Sequence, residues 1–131
     1  MRAGPSRGTT QRIDDILAAI VRIKRSEAKL IEADEEGDED SAQVAFDAVL
    51  YNLVVIGEAV NALPTEITAQ EPDVPWRDIV DMRNFLSHEH FRVLVDVVRR
   101  TIDEPLEQLR GACRRLQAAD EPGGGVAAQE P

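Results

Sequence analysis

Residues 41–63, SAQVAFDAVLYNLVVIGEAVNAL, make up the stretch that decides the fold of this 131-residue chain. Its apolar residues recur every three or four positions, which is the spacing of a helix that buries one broad face. Ser41 can cap the start of this helix, and Pro64 ends it because proline lacks a backbone N–H. The pattern predicts a central core helix with this buried face: Val44, Ala45, Ala48, Val49, Leu53, Ile56, Val60 and Leu63.

Helical patterns also occur on both sides of this segment. Upstream, Thr9 or Thr10 can cap a first helix, which has one apolar stripe: Ile13, Ile16, Leu17, Ile20, Ile23 and Leu30. Downstream, residues 64–75 have three prolines and no apolar period, so they predict a connecting loop. Pro75 suits the first position of a third helix, whose core contacts are predicted to be these: Trp76, Ile79, Val80 and Met82.

The last part of the chain contains two more apolar patterns. Val93, Leu94, Val97 and Val98 continue a helix as far as Pro105, which should kink or restart it. A final helix follows, with this apolar stripe: Leu106, Leu109, Cys113 and Leu116. Apolar residues make up 43% of the chain but aromatic residues only 4%, which favours helices packed through aliphatic side chains. The sequence therefore predicts an all-α, up-and-down bundle of four to five helices.

Chain length and composition limit the domain organisation and the compartment. A chain of this size accommodates one domain, predicted here over residues 10–118 between disordered segments 1–9 and 119–131. A single cysteine, Cys113, excludes an internal disulfide and predicts an inert buried thiol. Neither a secretion signal nor an apolar run of membrane-spanning length is evident in the sequence, so we predict a soluble, cytoplasmic protein.

The net charge of −10 argues against an ordinary nucleic-acid binder, but the charges are unevenly distributed. Residues 30–76 contain twelve acids and no lysine or arginine, whereas residues 77–115 contain eight arginines and seven acids. The run 32–40, EADEEGDED, has seven acids in nine residues and predicts a solvated loop. An alternative is an acidic contact surface for a basic partner.

Residues 56–60, IGEAV, place one charge among apolar neighbours. Gly57 inside a helix predicts the close approach of another backbone, because glycine otherwise weakens a helix. Glu58 either turns to water or is buried against a cation, because an unpaired buried carboxylate is costly. We predict the second arrangement, with Arg83 or Arg77 as the partner.

Both histidines of the chain lie in the stretch 82–91, MRNFLSHEHF. On a helix Asn84 neighbours His88 and Arg83 neighbours Ser87, whereas Arg83 and His88 are about 140° apart. Arg83 and His88 therefore converge only if the helix distorts near Ser87 or if two copies of the stretch meet across a two-fold axis.

These residue types suit a metal-free ribonuclease. A histidine can take a proton from a ribose 2′-hydroxyl or give one to the leaving oxygen, and an arginine can hold the phosphate. The alternative is a metal site built from His88, Glu89 and His90, which is less favoured because the chain has no third histidine or cysteine pair to complete it. A histidine on a helix can also be purely structural.

Three ordered motifs resemble those of the HepT-like branch of the HEPN superfamily: IGEAV at 56–60, PWRDI at 75–79 and residues 82–93, MRNFLSHEHFRV. The resemblance runs from about residue 12 to 117. It implies a small helical ribonuclease whose two protomers form one cleft from paired R-x4-H motifs, here Arg83 and His88 with Asn84 as the polar follower. It also implies a toxin that acts beside an MNT-type nucleotidyltransferase antitoxin.

This chain departs from the family pattern at one position. The family usually has R-x4-H-x-Tyr, with a tyrosine that the antitoxin modifies by transferring AMP, and His90 occupies that position here. The resemblance therefore leaves open whether inhibition proceeds by modification or by binding alone. His90 either adds a second imidazole to the cleft or is a structural replacement.

The resulting hypothesis is a homodimer, formed through the third and fourth helices, that cleaves RNA without a metal or cofactor. Its assigned residues are His88 as general acid or base, Arg83 as phosphate ligand and Asn84 as orienter of His88. Glu58, Ser87 and His90 are predicted to support the site. The competing hypothesis is a catalytically silent helical module that binds a nucleotidyltransferase partner.

Overall fold

The computed structural model of the chain describes residues 7–86 and 103–120. These residues form helices and no strand, which confirms the predicted all-α fold. The helices are α1 (Arg7–Glu36), α2 (Glu39–Asn61), the single-turn α3 (Thr65–Thr68), α4 (Trp76–Leu86) and α5 (Glu104–Asp120). The helix predicted to run from Val93 towards Pro105 lies, as far as residue 102, outside the described residues.

The long helices α1 and α2 form a hairpin that carries most of the core. Helix α4 packs on α2, and α5 packs on α1. The completely buried large side chains are aliphatic apart from one thiol: Ile13, Ile16, Ile20, Ile23, Val49, Ile56, Ile67, Leu109 and Cys113. The predicted stripes of the first and last helices are thus confirmed, because every member except the partly buried Leu17 is buried.

The connection between α1 and α2 is much shorter than the predicted loop 32–40. Helix α1 continues to Glu36, and only Gly37 and Asp38 separate it from α2. Gly37 adopts φ +70°, a left-handed conformation that suits glycine. The loop prediction is wrong because the acidic side chains are exposed to water, and Glu39 and Asp40 lie in the first turn of α2, where negative charge is favourable.

Asp38, not Ser41, caps helix α2. Its Oδ1 accepts a hydrogen bond from the backbone N–H of Ser41 at 3.1 Å, and the Ser41 hydroxyl donates to Oδ2 at 2.7 Å. These bonds, the side-chain bond foremost, lower the pKa of the Asp38 carboxyl. The predicted cap at Ser41 is wrong because α2 begins before Ser41, and the capping oxygen is supplied by Asp38, three residues earlier.

Three other local predictions need correction. Val44 is 68% exposed because it lines an open groove beside α1, and Phe46, two positions further along α2, is buried instead. The segment 64–75 contains α3, whose Ile67 is buried in the core. Residues 7–9 and 119–120, assigned to disordered ends, lie in α1 and α5.

Helix α2 is also long and apolar enough, by composition, to cross a membrane. Half of its most apolar window is buried against the other helices. Because a core helix of a water-soluble protein passes the same test, its apolar composition is explained by its central place in the bundle.

Candidate functional site

Helix α4 carries the first residues of the predicted catalytic motif. Arg83 and Asn84 lie in its last turn before Leu86. The positions of their side chains, and the segment 87–102 with Ser87, His88 and His90, lie outside the described residues. Helix α4 presents the start of the motif.

The start of α4 is fixed by hydrogen bonds to the preceding loop. The indole Nε1 of Trp76 donates to the carbonyl of Glu71 at 2.9 Å, and the backbone N–H of Ile79 donates to the carbonyl of Pro75 at 3.1 Å. Pro75 thus lies at the beginning of the helix, as predicted. Because the loop before α4 is bound to the first turn, the direction of the whole helix is defined.

Two side chains of α5 hold the same loop. Arg115 donates through Nε and Nη2 to Oε1 of Glu71, at 3.0 and 2.8 Å, and Gln108 donates to the carbonyl of Asp73 at 2.9 Å. The hydrogen bond to Glu71 raises the pKa of the Arg115 guanidinium. The loop, α4 and α5 therefore form one supported unit beneath the motif.

The inner face of α4 rests on the core. Trp76, Ile79, Val80 and Met82 are partly buried against it, which confirms their predicted role. An apolar cavity of about 180 Å³ lies between α2, α4 and α5, lined mainly by Leu53, Ile56, Ile79, Met82, Leu106 and Leu109. Asp78 is its one ionisable lining residue within the described part of the chain, so the cavity offers packing space and little acid–base chemistry.

The predicted burial of Glu58 is wrong. Glu58 is exposed on α2, as is Arg77 on α4, whereas Gly57 is buried. The side chain of Arg83 lies outside the described residues, so the pairing of Glu58 with a motif arginine stays a prediction.

Within residues 7–86 and 103–120, no group of three or more histidine, cysteine, aspartate or glutamate side chains is placed to hold a metal ion. His88, Glu89 and His90 lie outside these ranges, so the metal alternative stays a prediction.

Cys113 is fully buried, and its burial raises the pKa of the thiol to about 12, so it is the unreactive thiol that was predicted.

Sequence reasoning missed a polar pair between α1 and α2. Asn52 is only 4% exposed, and its Oδ1 accepts a hydrogen bond from Nε of Arg22 at 2.8 Å. The amide nitrogen of Asn52 donates to the carbonyl of Ala48, also at 2.8 Å. The available signal was the amide itself, which interrupts the apolar run LYNLVVI at 50–56.

Comparison with known proteins identifies the family. The family described as Ribonuclease HepT-like matches residues 14–116, which extend from the first turns of α1 to the last turns of α5 and include the whole motif stretch. The chain belongs to this family, and the resemblance found in the three sequence motifs is confirmed.

Similar proteins carry related names. The chain is 36% identical over 70 residues to "Probable ribonuclease HepT" of Thermococcus cleftensis, a match covering 53% of this chain and 64% of that protein. It is 39% identical over 69 residues to a protein of Caldanaerobacter subterraneus subsp. tengcongensis whose name provisionally classes it as an RNase, covering 53% and 62% of the two chains. The matched stretch is thus less than two thirds of either relative. No solved structure matches the chain significantly.

Proposed function

We propose that this protein is a metal-independent endoribonuclease of the HEPN type. The observation that carries the proposal is the Ribonuclease HepT-like match over residues 14–116, which includes the arginine and histidine of the R-x4-H pattern. The all-α bundle supports it, as does the firmly held helix α4 that ends in the Arg83–Asn84 turn.

Each motif residue has a defined role in the proposed reaction. His88 transfers the proton to or from the ribose 2′-hydroxyl and leaving oxygen, and Arg83 binds the phosphate and its developing charge. Asn84, one helical turn before His88 in sequence, orients the imidazole. Ser87 and His90 flank His88 and support the site.

The complete site is proposed to require a homodimer. In an ideal helix Arg83 and His88 point about 140° apart, so one copy of the motif does not bring both onto one phosphate. Two copies across a two-fold axis supply two histidines and two arginines to one cleft, which allows one imidazole to act as base and another as acid.

We further propose a cytoplasmic toxin that is neutralised by an MNT-type nucleotidyltransferase. His90 occupies the position of the tyrosine that such partners modify, so neutralisation requires binding or another acceptor residue. Intact-mass spectrometry of the protein co-expressed with the partner distinguishes the two. Mass increases by multiples of one AMP indicate modification, and an unchanged mass together with inhibition indicates binding alone.

RNA cleavage in the presence of a chelator tests the enzymatic proposal. We expect the parent to cleave single-stranded RNA in EDTA, and we expect His88→Ala and Arg83→Ala each to lower the rate by about 100-fold or more. Arg114→Ala is the matched control, because it removes one exposed arginine of α5 that is not part of the motif in sequence. An inactive parent, or a His88→Ala protein as active as the parent, would contradict the proposal.

One observation favours the alternative of a silent interaction module. The tip of the α1–α2 hairpin borders an open groove of about 450 Å³, with four carboxylates along it: Glu32, Glu36, Asp38 and Asp40. This acidic groove suits a basic partner. The module hypothesis predicts that Glu32→Gln with Glu36→Gln abolishes complex formation, whereas His88→Ala has no effect in a growth assay.

A further inference from the structure

Helix α1 carries a cluster of cations, well before the motif in sequence. Residues 20–30 carry Arg22, Lys24, Arg25 and Lys29 against the single acid Glu27, within a chain of net charge −10. Lys24 lies 3.8 Å from the Glu107 carboxylate, whereas no ion pair within the described ranges neutralises the other three. Arg22, Arg25 and Lys29 are spaced by three and four positions, so they repel one another along one face.

Asn52 explains how Arg22 is held in this cluster. An amide buried in a helix interface costs stability unless both of its ends are hydrogen bonded, and the bonds to Arg22 and Ala48 satisfy Asn52. Thr9 is the only other buried polar residue in the described ranges. Because Asn52 occupies only Nε of Arg22, the two terminal nitrogens of the guanidinium keep their donors for an anion.

The groove along the hairpin extends towards Arg22. Ser26 and Lys29 of α1 face Val44 and Ala48 of α2 across it. Arg22 lies four residues before Ser26, on the same face of α1, and Tyr51 lies three residues after Ala48, on the same face of α2. Tyr51 is 68% exposed and directly precedes Asn52, the hydrogen-bond partner of Arg22.

We infer that this outer face of the α1–α2 hairpin binds the substrate strand: Arg22, Arg25 and Lys29 bind phosphates of single-stranded RNA, and Tyr51 stacks on a base. Cations that follow the backbone and an aromatic ring that receives a base are the features of single-strand binding surfaces. The carboxylates at the tip of the hairpin repel the strand and confine it to the turns around Arg22. This inference rests on the proposed ribonuclease function, because it assigns a second contact surface for the same substrate.

Fluorescence anisotropy with a short fluorescein-labelled single-stranded RNA tests the inference on the full chain carrying His88→Ala, which leaves the probe uncut. The combined variant Arg22→Gln, Arg25→Gln and Lys29→Gln should weaken binding at least about tenfold. It should also reduce the slope of log affinity against log salt by about 2, since each phosphate contact on a single strand contributes about 0.7. Tyr51→Leu should weaken binding about fivefold or more through lost stacking.

The matched control removes the same charge elsewhere. The combined variant Arg12→Gln, Arg110→Gln and Arg114→Gln changes three exposed arginines and should keep most of the affinity and the salt slope. Equal losses in both combined variants, or no loss in the first, would overturn the inference. Asn52→Leu should mimic part of the Arg22→Gln effect, because it frees Arg22 while keeping an apolar contact between α1 and α2.

Cleavage by chains with intact His88 separates this inference from the proposed function. The cationic-face variant should raise KM and leave kcat nearly unchanged, because the face is assigned a role in binding RNA and none in proton transfer. If the parent and the variant cleave RNA with the same KM, the RNA-binding role of the cationic face is refuted, but the ribonuclease function is not. If the parent binds RNA through this face but does not cleave it, the ribonuclease function is refuted, but the binding role of the face is not.

Discussion

At the scale of single residues, burial decides the chemistry more than residue type does. Cys113 is the one cysteine of the chain, and desolvation, assisted by the negative charge of Glu71, raises the pKa of its thiol to about 12. Asn52, a polar residue in an apolar run, is stable in the interior because both ends of its amide are hydrogen bonded. Glu58 is the opposite case, because its side chain was predicted to be buried in an ion pair but is exposed at the surface.

The thiol of Cys113 makes stability depend on pH in the alkaline range. The ordinary thiol pKa is 9.0, so between about pH 9 and 12 the unfolded chain loses this proton while the folded chain keeps it. The folded state then binds more protons, and the free energy of unfolding falls as pH rises. We expect urea unfolding of the parent to show a steeper loss over this range than Cys113→Ala. Parallel curves for the two proteins would contradict the assigned pKa.

At the scale of helices, a glycine that follows a helix and a glycine inside a helix differ in their roles. Gly37 has φ +70°, and a Cβ added there would meet no atom within 4 Å, so only its backbone conformation requires glycine. Gly111 lies inside α5, where an added Cβ would be 3.4 Å from Nη1 of the flexible Arg115 side chain. The first glycine ends a helix, whereas the second merely weakens one.

Matched glycine substitutions should therefore change stability in opposite directions. Gly37→Ala should lower the free energy of unfolding by about 1 kcal/mol, because alanine is strained in the left-handed region. Gly111→Ala should raise it by about 0.5 to 1 kcal/mol through better helix propensity. Urea unfolding followed by circular dichroism measures both. A stabilising Gly37→Ala would show that the chain does not turn at residue 37 as described.

Cap chemistry at the start of α2 adds a test at acidic pH. The pKa of Asp38 is lowered in the folded chain, so its contribution to stability is present above its ordinary pKa of 3.8 and is lost as pH falls through the lowered value. Asp38→Asn keeps a capping oxygen but does not titrate. We expect the parent to lose more thermal stability than this variant on acidification, whereas Asp40→Asn, as the control, should behave like the parent.

At the scale of the whole molecule, the bundle provides a rigid support for α4, while the motif is proposed to require a second chain. The loop at Glu71–Pro75 is bonded to both α4 and α5, so the Arg83 turn has a fixed starting direction. The predicted dimer through the third and fourth helices stays a prediction.

Mixed dimers test the shared site. Arg83→Ala and His88→Ala chains, each inactive alone, are co-expressed with different affinity tags, and the doubly tagged species is purified. If one cleft is built from both chains, the mixed dimer holds one Arg83 and one His88 and should regain measurable RNA cleavage. A purified mixed dimer as inactive as either parent variant would instead indicate that each chain needs both residues of its own motif or that the cleft needs both histidines.

The sequence by itself determined the helical class, the central place of residues 41–63 and the start of α4 after Pro75, because periodic apolar spacing and proline are local signals. It also determined the family, through motifs that need no coordinates. Only the tertiary structure decided that Phe46 and not Val44 faces the core, that Glu58 is exposed and that Asn52 holds Arg22. The physical reason is that spacing defines which residues share a face, whereas the burial of that face depends on which distant helix packs against it.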